Sequence, residues 1–147
     1  MRRGRPVLLL LVGALLLAGC SNYSGDATQR VREWATSAPW DANDQQLVSD
    51  LGDLANGLRL RRLLPLRTAC EAFAADAAVL YDTLPTPDKR LTDELNTALG
   101  GFDRAARDCY ASSAFSSATF RRYQRELASA TATYHQAERR LAGFGVH

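Results

Sequence analysis

LRTACEAFAADAAVLYDTL, residues 66–84, carries its apolar side chains at Leu66, Cys70, Phe73, Ala77, Leu80 and Leu84. The steps run four, three, four, three, four. On a helix of 3.6 residues per turn that rhythm puts all six on one face. A strand would need alternation at period two, and the segment shows none. The stretch is a helix with one inward face, and Leu84-Pro85-Thr86-Pro87 stops it.

The same rhythm continues on both sides. Downstream, Leu91, Leu95, Ala98, Phe102, Ala105 and Cys109 repeat the stepping, with Thr86 as the expected cap and Pro87 in the first turn. Upstream, Leu47, Leu51, Leu54 and Leu58 mark a helix capped at Asp41 that should end near Arg62, before Pro65. The last helix runs through Phe120, Tyr123, Leu127, Ala130, Tyr134, Ala137 and Leu141 to Gly143, after a serine-rich joint from Ser112 to Ser117. The chain has no isoleucine, and only four valines follow residue 19. Such a composition favours helices over strands. The expected fold is all-α: an antiparallel four-helix bundle over residues 41–147, the natural packing for helices joined by short loops. Residues 21–27 read as a tether, and Thr28 to Ala38 as a short extra helix with Val31 and Trp34 on one face. Gly100-Gly101, inside the third helix, should cost about 1 kcal/mol per glycine relative to alanine. They either bend that helix or admit a close neighbour.

The chain starts with Arg2, Arg3 and Arg5, followed by thirteen uncharged residues from Val7 to Gly19. A bilayer span needs about 20 apolar residues, so this run is short, and it has the three-part form of a secretory signal. Leu17-Ala18-Gly19-Cys20 then resembles the lipobox of bacterial lipoproteins. The resemblance implies cleavage before Cys20, a palmitate-bearing diacylglycerol on its sulfur, and a lipid anchor in the membrane. The expected divisions are therefore 1–19 as signal peptide, 20–40 as lipidated tether with the short helix, and 41–147 as bundle. Seventeen arginines stand against one lysine, Lys89, the bias of a GC-rich genome. Lipobox, composition and two bundle cysteines together resemble the small helical lipoproteins of high-GC Gram-positive bacteria. That resemblance implies a place on the outer face of the cytoplasmic membrane and brings no activity with it.

Lipidation of Cys20 leaves Cys70 and Cys109 as an even pair in an oxidising compartment, expected to form a disulfide between the second and third helices. Counting from the turn leaves about 15 residues to Cys70 and 22 to Cys109, a mismatch of about 10 Å at 1.5 Å per residue. The third helix is therefore expected to start late, tilt, or bend at Gly100-Gly101. The whole chain has eighteen basic and sixteen acidic residues, a net charge of +2. Removing residues 1–19 takes three arginines and no acid, leaving −1. The basic character belongs to the signal, so no nucleic-acid partner is expected.

Chemistry is sparse. His135 and His147 are the only histidines, and His135-x-x-Glu138 has no second pair to make a bundle metal centre. No haem motif, phosphate loop or nucleophile elbow is present, so neither enzyme activity, cofactor nor metal is expected. Phe73, Phe102, Phe120, Tyr123 and Tyr134 read as core, with a small apolar ligand held by Phe102, Tyr123 and Tyr134 as the alternative. Trp34 and Trp40 read either as headgroup-level residues or as packing at the base of the bundle.

Charge sorts by end. Folding the four helices back and forth gathers nine arginines against five acids at the end holding the first and third loops. The other end carries four basic residues against nine acidic ones. Helix dipoles do not explain this, since the basic end holds two N-termini as well as two C-termini. Arg59, Arg62, Arg67, Arg121, Arg122 and Arg125 are the candidate binding residues. Two functions follow: an envelope interaction module meeting an anionic polymer or protein through these arginines, or a carrier of a small apolar ligand. The anchor joins the acidic end, so the arginines are expected outermost, although residues 21–40 are long enough to let the bundle lie over.

Overall fold

The computed structural model describes residues 25–147. The segment expected to be a signal peptide, and Cys20, lie outside the described residues. Among the described residues there are five helices and no strand: α1 (Ala27–Ser37), α2 (Trp40–Leu60), α3 (Leu63–Tyr81), α4 (Lys89–Ala111) and α5 (Ala118–Gly143). Each helix packs on the next along the chain, and a helical bundle results. No described helix is long and apolar enough to cross a membrane.

The periodic positions form the core. Leu66, Cys70, Phe73, Ala77 and Leu80 of α3 are buried, as are Leu91, Leu95, Ala98, Phe102, Ala105 and Cys109 of α4. Phe120, Tyr123, Ala130, Tyr134, Ala137 and Leu141 of α5 complete the interior. On α2 the dry stripe is rotated: Leu47, Asp50, Leu54 and Gly57 are buried, while Leu51 and Leu58 are only partly so. Gly57 explains the rotation. A Cβ there would meet Leu66 Cα at 3.2 Å, a tight contact, so glycine lets α3 close onto that face without displacing Leu66.

The short helix expected over Thr28 to Ala38 forms as α1. Val31, Trp34 and Ala35 of α1 belong to the core, and the Trp34 indole donates to the Thr83 carbonyl at 2.9 Å. Trp34 and Trp40 pack 5.3 Å apart, and Trp40 stacks on Tyr134. The helix thus belongs to the folded unit, with both tryptophans buried. At the start of α4 the cap is Asp88 rather than Thr86: its carboxylate accepts from Leu91 N at 2.7 Å. A carboxylate there also meets the positive end of the helix dipole. Thr86 instead bonds Thr92 and the Asp88 carbonyl from outside the helix.

Cys70 and Cys109 face each other sulfur to sulfur, with Cα atoms 6.3 Å apart, inside the range a disulfide spans. Helix α3 ends at Tyr81 and α4 starts at Lys89, and the connection 82–88 between them takes up the register mismatch. Seven residues can extend roughly 20 Å. Helix α4 continues unbroken through Gly100 and Gly101. Gly101 admits a neighbour, since a Cβ there would lie 2.7 Å from Ala130 Cβ on α5, whereas a Cβ on Gly100 would meet only the Arg104 guanidinium, at 3.7 Å.

Candidate functional site

The arginine-rich end is assembled by direct contacts. Arg67 near the start of α3 donates to the Ser112 carbonyl just past α4, on the same level as the Cys70–Cys109 pair. Arg122 in the first turns of α5 holds Asp108 of α4 with two hydrogen bonds. Arg61, between α2 and α3, lies over the Phe115 ring of the α4–α5 connection, 5.5 Å from its centroid. Both connections, with the ends of the four long helices, therefore meet at one end.

These arginines differ in what they are free to do. Arg67 is half-buried and committed to the Ser112 carbonyl. Arg122 is committed to Asp108, whose carboxylate raises the guanidinium pKa above its ordinary value, chiefly through the hydrogen bonds. Arg121 donates to the Ser116 carbonyl at 2.6 Å, and Arg59 to the Asn56 side chain at 2.8 Å. Both remain exposed. Arg62 and Arg125 are exposed, and their side chains make no hydrogen bond or ion pair among the described residues. Four of the six candidates are thus open to a partner, while Arg67 and Arg122 hold the end together.

The corner between α2 and α3 adds a feature that charge counting missed. Leu60 and Leu64 are 46% and 76% exposed beside Arg59, Arg61 and Arg62. The signal was present in the sequence as Leu60 and Leu64 standing off the core stripe.

At the opposite end, Arg140 holds Glu94 with two hydrogen bonds, which depress the Glu94 pKa below the ordinary carboxylate range. Burial raises the Asp44 pKa despite the hydrogen bond it accepts from Tyr134, and raises that of Tyr134 as well. Between α2 and α3, Asp50 is 4% exposed and accepts from Gln46 at 3.2 Å, while its other oxygen has no partner. Burial first, then Asp76 beside it, pushes the Asp50 pKa up to about 6. His135 pairs with Glu138 on the surface. No group of three His, Cys, Asp or Glu side chains among the described residues can hold a metal ion.

The interior offers the alternative reading little room. Phe73 and Phe102 meet edge to face at 4.9 Å, Phe102 and Tyr134 at 5.5 Å, and Phe120 and Tyr123 at 5.3 Å. One surface hollow of about 260 Å³ lies between α3 and α4 over Ala74, Ala78 and Gly100. Another, of about 600 Å³, lies between Arg32, Trp40 and His147. Phe102, Tyr123 and Tyr134 line neither. No family model, curated protein or solved structure matches the chain.

Proposed function

We propose that this protein is a non-enzymatic interaction module of the bacterial cell envelope, anchored by lipid at Cys20 to the outer face of the cytoplasmic membrane. Its four long helices form an antiparallel bundle, tied by a Cys70–Cys109 disulfide, and its arginine-rich end binds an anionic partner. One observation carries the binding part. Arg59, Arg62, Arg121 and Arg125 are exposed at one end, and neither Arg62 nor Arg125 has a partner of its own. The antiparallel order is supported by contacts joining the start of α3 to the end of α4 and the start of α5 to the end of α4. The close aromatic packing of the interior favours this reading over an apolar carrier.

The test is binding to a soluble polyanion such as polyphosphate, followed against salt. Exposed charges are screened beyond about 8 Å at physiological ionic strength, so affinity should fall steeply as salt rises. Replacing Arg59, Arg62 and Arg125 by Gln should weaken binding while leaving helicity unchanged. Affinity indifferent to both salt and the triple substitution would remove the reading.

A further inference from the structure

We infer that the α2–α3 corner, Arg59 to Leu64, is a docking surface for an anionic phospholipid bilayer, with its arginines on headgroup phosphates and its leucines in the acyl boundary. This rests on the reading of the arginine-rich end above and names the partner.

Three independent observations point there. The first is composition in place. From Leu54 to Cys70 the chain carries Arg59, Arg61, Arg62 and Arg67 and no acid. Among those residues, Leu60 and Leu64 stand 46% and 76% exposed. A polyanion in solution engages only the guanidinium groups and leaves Leu64 in water. A lipid surface uses both, because interfacial binding combines buried apolar area with attraction to anionic headgroups.

The second is that the corner breaks local rules on both sides. Arg61 sits at φ 49 and ψ 43, the left-handed conformation that glycine fills at helix C-termini. Arg62 occupies the N-cap of α3 without a side-chain cap bond, where Ser, Thr, Asp or Asn is preferred and a cation faces the positive helix end. Arg61 has Phe115 beneath it in return, but Arg62 finds no side-chain partner among the described residues, at a position Ser or Asp would stabilise more, and that marks the corner as a functional place.

The third is rigidity. Only Arg61 and Arg62 separate the helices, and Gly57 packed on Leu66 fixes their crossing, so the exposed side chains are presented on a firm edge. The posture follows. A bundle lying along the membrane brings the corner to the surface while α1, at the far end, stays near the anchor. An upright bundle would instead hold the acidic end against the anionic surface.

The experiment uses the full chain with Leu64→Cys carrying a polarity-sensitive dye, on vesicles of phosphatidylcholine with or without phosphatidylglycerol. Ser129→Cys on the exposed face of α5 is the control. The dye at position 64 should shift to the blue and be quenched by lipid-borne quencher only when phosphatidylglycerol is present, while the control stays in water. Each arginine near an anionic surface is worth about fivefold in affinity, so Arg59, Arg61 and Arg62 to Gln should weaken the response roughly 100-fold. A dye at position 64 that stays as wet on phosphatidylglycerol vesicles as in buffer overturns the inference. If polyphosphate binding still depends on the arginines in that case, the interaction module survives and only the lipid partner fails. If both fail, so does the reading beneath them. Shielding of the dye by lipid-free envelope protein, with none on vesicles, overturns the bilayer in favour of a protein partner.

Discussion

Asp50→Asn should stabilise this protein at neutral pH and leave it unchanged in acid. Asp50 is 4% exposed on α2, with Gln46 donating to one oxygen and the other unpartnered beside Asp76 of α3. Burial and the neighbouring carboxylate lift its folded pKa to about 6, from 3.8. The folded state therefore holds a proton that the unfolded chain releases. Below about pH 4 that proton is bound in both states, and the full contribution is present. As pH rises towards 6, stability falls, because the native protein must keep the proton or bury a charge. At about 1.4 kcal/mol per pKa unit, the loss by about pH 8 approaches 3 kcal/mol. Asn keeps the shape, accepts from Gln46, and donates to Asp76 at every pH. Denaturation of both proteins, followed by circular dichroism across the range, isolates Asp50 from Asp44 and Glu94, which titrate in both. The variant should match wild type near pH 4 and exceed it by up to about 3 kcal/mol near pH 8, roughly 10 °C in melting temperature. A gap that does not change with pH, or an Asn variant less stable near pH 8, would refute the argument.

Replacing Cys70 and Cys109 by Ala should cost roughly 4 kcal/mol on the chain-entropy account of a loop this long, and two free thiols in the oxidised, denatured protein would contradict the pairing. Gly101→Ala should destabilise by about 1–3 kcal/mol, because its Cβ would press on Ala130 at 2.7 Å. Gly100→Ala meets only the Arg104 guanidinium at 3.7 Å and should stabilise by about 1 kcal/mol, both changes being read from urea titrations. Cys20→Ser should abolish incorporation of a fatty-acid probe and leave the precursor uncleaved; equal labelling of both chains would remove the lipid anchor.

The helical faces of α3, α4 and α5 were legible because periodicity reports which side of a helix is dry, and the buried residues follow it. Helix α2 shows where that signal blurs. Its leucines at 47, 51, 54 and 58 suggest one stripe, yet Asp50 and Gly57 lie inside it while Leu51 and Leu58 lie at its edge. Hydropathy resists placing an aspartate in a core. The deciding fact is the close approach of Leu66 to Gly57, a contact between helices that no single helix displays.

The charged residues carry the same lesson further. Counting by end placed the arginines together, since connection lengths fix which end a residue occupies. It could not separate Arg67 and Arg122, which bond the bundle, from Arg62 and Arg125, which do not, because that depends on rotation about each helix axis. Nor does sequence announce that Arg61 takes a left-handed conformation: that follows from a two-residue connection forcing α3 back along α2. Once the turn is that tight, one residue must adopt the strained conformation. Glycine would do so at lowest cost, and arginine stands there instead. Leu60 and Leu64 flank it, exposed, with no core of their own to fill. Arg61 keeps a contact with Phe115 there, whereas Leu60 and Leu64 gain nothing from a soluble bundle, and it is these two that the proposed lipid surface would cover.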